Sequence, residues 1–190
     1  IAVMPVLAKQ AAEKDLASLK QTFISSLILV FTLAVPATAG LMMLAEPIIR
    51  LIFEHGAFTA SDTLQTADAL SYYAIGLFAY SAIKVMVPVF FAIGNTRYPV
   101  IGSFLGVAIN ILIINLVIDF LQHRGIALST SCAMILNFLF LGIVLHRKLS
   151  GYPLGYILKG LAKILLATGL MCGGIWGLIQ VLVPWMGGPV

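Results

Sequence analysis

Long stretches without a single charge constrain this chain more than any other feature. Residues 21–45, 98–118, 125–145 and 164–190 contain no Asp, Glu, Lys or Arg, and residues 69–96 contain only Lys84. A helix needs about 20 apolar residues to cross roughly 30 Å of hydrocarbon, so each stretch is long enough to span a membrane. Composition points the same way. Of 190 residues, 61% are apolar and 9% charged, against about 25% charged in a soluble domain, and the mean hydropathy is +1.08. These values argue against a soluble enzyme. They also argue against a nucleic-acid module, because the 11 Lys and Arg are scattered between uncharged runs and form no patch for a phosphate backbone. Cys132 and Cys172 lie within apolar runs, which implies neither a disulfide framework nor a metal site.

The pattern predicts an all-α polytopic membrane protein with five full spans, roughly 20–45, 66–94, 98–118, 125–146 and 158–184. The opening IAVMPVLA is apolar but too short to span, and it lacks the basic region and cleavage motif of a signal peptide. It reads as the tail of an earlier helix, so a fragment of a longer chain is expected. Connectors on one side hold Lys9, Lys14, Lys20, Arg97, Arg147, Lys148, Lys159 and Lys163, while the other side holds Arg50 and Arg124. Lys and Arg favour the cytoplasmic side of short loops, which places the first connector in the cytoplasm and the segment EPIIRLIFEHGAFTASDT outside. Thr59 with Asp62 fits a capping box opening the second span. Gly94-Asn95 ends that span, and Pro99 is tolerated in the first turn of the next. Pro47 followed by IIRLIF suggests a short interfacial helix that turns at Gly56. Tyr152, Tyr156 and Trp185 sit where an aromatic belt is expected.

Few residues could carry chemistry, and no catalytic or metal-ligating set is predicted. His55, His123 and His146 lie at or near connector ends without ligand spacing. Lys84 is the informative residue, because a lysine facing lipid at mid-bilayer costs about 2.5–3.5 kcal/mol or more. Three readings stay open: a role in a wet cavity or coupling pathway, a tether to a partner helix, and snorkelling. Pro88, four residues on, cannot donate to the Lys84 carbonyl, so a kink is expected there. Pro36 repeats the device in the first span by freeing the Thr32 carbonyl, with Thr32, Thr38 and Gly40 available nearby to satisfy the backbone. Gly102, Gly106 and Asn110 share one face of the third span, suited to close helix approach. Asn110 and Asn137 join Lys84 and Pro88 as pathway candidates. Asn115 and Ser131 are weaker candidates for a site holding Na⁺ through neutral oxygens, with ordinary interhelical hydrogen bonding as the competing reading. The last span, with no charge after Lys163, reads as peripheral.

The segments AEPIIRLIFEHGAFTASDT and ALSYYAIGLFAYSAIKVMVPVFFAIGNTRYPV closely resemble the MurJ/MviN lipid II flippases. The GIALSTS opening of the fourth span and the VMPVLAK start fit as well, so the likeness covers residues 1 to about 185. The resemblance implies a transporter of the MOP superfamily, with two six-helix lobes facing a central cavity. Residues 1–146 would then be second-lobe helices, from the end of helix 8 to helix 12. Residues 147–190 would be a cytoplasmic connector and one additional peripheral helix. The implied activity is not enzymatic: it is the flipping of lipid II, the undecaprenyl-pyrophosphate-linked peptidoglycan precursor, across the bacterial inner membrane by alternating access. No cofactor is implied beyond Na⁺ or the membrane potential for coupling. The implied partners are lipid II, membrane lipids and an N-terminal lobe outside this chain, with no nucleic acid. Lys84, in the K-V-x-x-P motif, matches the family pattern. The alternatives are a related polysaccharide-unit exporter, a cation-coupled drug antiporter, and a non-transporting membrane scaffold.

Overall fold

The computed structural model describes residues 4–121 and 123–185, with the backbone alone at 119, 121, 123 and 181–185. These residues form helices α1 (Met4–Ala12), α2 (Leu16–Met43), α3 (Ala45–Phe53), α4 (Ala60–Ala92), α5 (Arg97–Leu121), α6 (His123–Lys148) and α7 (Leu154–Trp185). Five of them, α2 and α4–α7, are long and apolar enough to cross a membrane, in agreement with the expected spans. The apolar opening continues past Lys9 as helix to Ala12, and residues 1–3 lie outside the described set.

Polar residues at the helix ends explain the boundaries. Asp15 caps α2 by accepting from the Ser18 amide at 3.0 Å. Hydrogen bonds from the Ser18 side chain and then its amide hold the Asp15 carboxyl below its ordinary value of 3.8. At the start of α4, Thr59 and Asp62 exchange side-chain-to-backbone bonds in a reciprocal capping box, satisfying amides that have no partner within the helix. The α4 C-terminus closes with Gly94 at φ +70° and the Asn95 amide on the Phe90 carbonyl at 2.9 Å. Only a residue that tolerates the left-handed region ends a helix this way, and Gly does so without a Cβ penalty. Gly56, at φ +62°, turns the chain between α3 and α4. The short helix expected after Pro47 is present as α3, buried at Ala45 and Ile49 and packed on α4 around Ala67.

Helix α4 is the centre of the assembly. It packs against both α2 and α6; α7 lies against α2, and α5 lies mainly against α6. Helix α1 packs on α2 and α4. The core is drawn from several of these helices: Leu7 from α1, Leu19 and Phe23 from α2, Met86, Val89 and Phe90 from α4, and Leu141 and Leu145 from α6. Lipid tails are as apolar as leucine, so van der Waals fit rather than escape from solvent drives such a core inside a bilayer. Apolar side chains on the outside meet the same need, and Phe104, Leu116, Leu166 and Leu170 all face outward.

The expected aromatic belt residues divide. Tyr156 is exposed, whereas Tyr152 packs edge-on against Phe23 and His146 and donates to the Gly142 carbonyl at 3.2 Å. Burial pushes the Tyr152 phenol up from its usual value. The Trp185 side chain lies outside the described set. Pro36 and Pro88 sit within continuous helices. The polar residues offered as relief near Pro36 do not serve it: the Thr32 hydroxyl donates to the Ile28 carbonyl at 2.8 Å, and the Thr38 hydroxyl is buried without a partner.

Candidate functional site

Helices α1, α2 and α4 enclose a groove of about 540 Å³. Its walls are apolar, with Leu29, Leu33 and Ala37 from α2 facing Leu77, Val85 and Pro88 from α4. Its polar members are Ser26, Tyr80, Ser81 and one charge, Lys84. The helical period explains the alignment on α4, because residues three and four apart share a face and Leu77, Tyr80, Ser81, Lys84, Val85 and Pro88 follow that spacing. The Lys84 side chain is exposed to the groove, with its Nζ 4.9 Å from the centre of the Tyr80 ring. The four ion pairs among the described residues do not include Lys84. An ammonium in such a place is free to meet an anion that enters the groove.

The structure brings Lys84 and Pro88 together in this groove and places the other candidates elsewhere. Asn110 lies between α5 and α6, where its Oδ1 accepts from the Ser129 hydroxyl at 3.0 Å and its Nδ2 donates to Thr130 Oγ1 at 3.4 Å. Asn137 faces α5 at Gly102, where an added Cβ would stand 2.5 Å from Asn137 Oδ1. That oxygen is buried without a partner. Asn115 and Ser131 are not brought together: Asn115 Nδ2 donates to the Ile111 carbonyl in its own helix at 2.8 Å, and the Ser131 hydroxyl donates to the Tyr72 carbonyl of α4 at 2.6 Å. Asp68 pairs with Arg124, joining α4 to α6, and the Asp119 side chain lies outside the described set.

Sequence reasoning missed Tyr80, Ser81 and Ser26 as groove residues. For Tyr80 and Ser81 a signal existed, since they stand four and three residues before Lys84 on the same helical face. Ser26 carries no such signal, because nothing in the sequence says which face of α2 meets α4.

The profile of the family described as "Lipid II flippase MurJ" matches residues 1–188. The chain belongs to the MurJ family. A probable lipid II flippase MurJ from Rickettsia prowazekii is 32% identical over 181 residues, covering 95% of this chain and 35% of the relative. One from Rhizobium meliloti is 31% identical over 159 residues, covering 83% of this chain and 29% of the relative. A solved structure titled "Lipid II flippase MurJ, inward closed conformation" superposes with a TM-score of 0.76 at 28% identity, covering 98% of this chain and 41% of that one. The chain thus spans about a third of the length of the curated MurJ relatives it matches. Five apolar helices in a MurJ chain make it a multi-pass bacterial membrane protein, and the groove with Lys84 falls within the matched region.

Proposed function

We propose that this chain supplies helices of a lipid II flippase, and that the groove between α2 and α4 belongs to the path of the translocated lipid. One observation carries the reading: in a MurJ-family chain, Lys84, the one charge of the apolar run 69–96, opens into a groove with no carboxylate partner among the described residues. Such a cation is costly unless it faces a cavity or meets an opposite charge. A pyrophosphate-linked lipid supplies the opposite charge, and its isoprenoid chain suits the leucine-lined walls. In this reading the substrate is undecaprenyl-pyrophosphate-linked peptidoglycan precursor, and it crosses the inner membrane by alternating access with an N-terminal lobe. Coupling draws on Na⁺ or the membrane potential, and surrounding lipids solvate α5 and α7.

The test uses the full-length protein in cells that lack any other lipid II flippase. Lys84→Met is expected to lower lipid II flipping about 10- to 100-fold, the equivalent of losing one hydrogen bond to a charged group worth roughly 1.5–3 kcal/mol. Lys84→Arg keeps a donor and retains most activity. Unchanged export in Lys84→Met, at normal protein levels, removes Lys84 and the groove from the path. Unchanged export after depletion of the whole protein refutes the flippase reading.

A further inference from the structure

We propose that Tyr80 is the positioning residue for Lys84, holding its ammonium in the groove instead of letting it reach for the nearer membrane surface. The inference rests on the reading of the groove as part of the transport path. Lys84 lies eight residues before the end of α4 at Ala92, about 12 Å from that end at 1.5 Å per residue. The other end of α4, at Ala60, is three times as far along the helix. A lysine that snorkelled would therefore extend toward Ala92 and the basic connector beyond it. Instead its Nζ sits 4.9 Å from the centre of the Tyr80 ring, one turn back toward the middle of the span. Side chains on a helix lean toward its N-terminus, so Lys84 starts in the right direction. The ring face then gives the ammonium an electrostatic partner where water is scarce. Tyr80 is itself 44% exposed and lines the groove, so its ring is available to the ammonium rather than committed to the core. The contact runs through the ring face rather than the phenol oxygen, which separates this role from hydrogen bonding.

Three variants of the full-length protein test the idea through lipid II flipping in cells, with membrane protein levels measured alongside. A cation–π contact worth roughly 0.5–2 kcal/mol corresponds to about a 2- to 30-fold loss of flipping in Tyr80→Leu. Tyr80→Phe keeps the ring and should stay within about twofold of wild type, and that rescue excludes a role for the hydroxyl. In a Lys84→Met background, Tyr80→Leu should cost nothing further, because residues acting through one contact are non-additive. The proposal is overturned if Tyr80→Phe is as impaired as Tyr80→Leu, or if Tyr80→Leu and Lys84→Met add in full. It is also overturned, with the flippase reading intact, if Tyr80→Leu flips normally while Lys84→Met does not. If the wild-type protein flips no lipid II, the functional reading fails and this inference goes with it.

Discussion

On one side of α4, Gly76 brings the helix so close to α6 that an added Cβ would stand 2.9 Å from the Ser131 Cα. On an adjoining face of the same helix, Leu77, Tyr80 and Lys84 border the groove toward α2. The first seam, together with the neighbouring α5–α6 contact, is closed by small residues, neutral hydrogen bonds and, at one end, the Asp68–Arg124 ion pair. Ser131 reaches the Tyr72 carbonyl, and Asn110 joins Ser129 and Thr130. The second seam is closed where Phe23, Leu27, Phe31, Met86 and Phe90 join the core and Phe31 packs on Phe78, and it opens along the groove lined by leucines and one cation. In a bilayer, polar side chains that find partners act as glue between helices, whereas a charge without one marks a path or an awaited contact. Both faces belong to a single helix, so the contrast comes from side chains and not from the fold as a whole.

The closed seam should break most severely at Gly76. Gly76→Val places a branched side chain where Ser131 backbone and hydroxyl atoms already stand 2.9 and 2.8 Å from a Cβ. Backbone cannot rotate away, so α4 and α6 must separate, and overpacking of this kind costs about 1–3 kcal/mol or more. Thermal melting of the full-length protein in detergent should show a clear drop, together with low yield. A variant that melts like wild type would mean the two helices are not in tight contact. Gly102→Ala should be milder, at the lower end of the same 1–3 kcal/mol range, although the added Cβ would come within 2.5 Å of Asn137 Oδ1. The clashing atom is the end of a flexible side chain with no hydrogen bond to lose, so it swings aside. If Gly102→Ala proves worse than Gly76→Val, the ranking of backbone over side-chain contact is wrong.

How much of this was legible beforehand depends on what the lipid environment erases. Span limits could be read because charges and caps punctuate the chain: Lys20, Asp68, Arg97 and Arg124 bracket apolar runs, and Thr59 with Asp62 marks the start of α4. Pro47 and the IIRLIF run disclosed α3. Helix rotation was legible for α5, where Gly102, Gly106 and Asn110 marked the face that meets α6, but not for the other spans. Soluble helices show a polar face and an apolar one, but α7 carries no charge after Lys163, so periodicity cannot say which side meets a neighbour. Ser131 illustrates the gap, because its acceptor lies 59 residues away on α4. Nor could spacing show that α7 lies against α2. Lys84 escaped this blindness because one charge in an apolar run stands out whatever its rotation. Tyr80 beside it was legible only as spacing, without any hint that its ring would face the ammonium.

Smaller substitutions sharpen the comparison further. Ser131→Ala removes the hydroxyl but leaves the tight approach at Gly76 intact. Interhelical hydrogen bonds in membrane proteins average about 0.6 kcal/mol and reach about 1.7, so a modest loss of melting temperature is expected. The smallest effect belongs to the open seam. Leu33 is 69% exposed on the α2 wall of the groove, and a substitution at such a site normally changes stability by less than about 0.5 kcal/mol. Leu33→Ala in the full-length protein should therefore melt with the wild type, whereas a buried leucine truncated to alanine costs about 2–5 kcal/mol. A core-sized loss at Leu33 would mean that another part of the protein fills the groove and that the two seams are equally closed. Lys84 would then be a tether to that filling helix, and its loss would lower stability and flipping together.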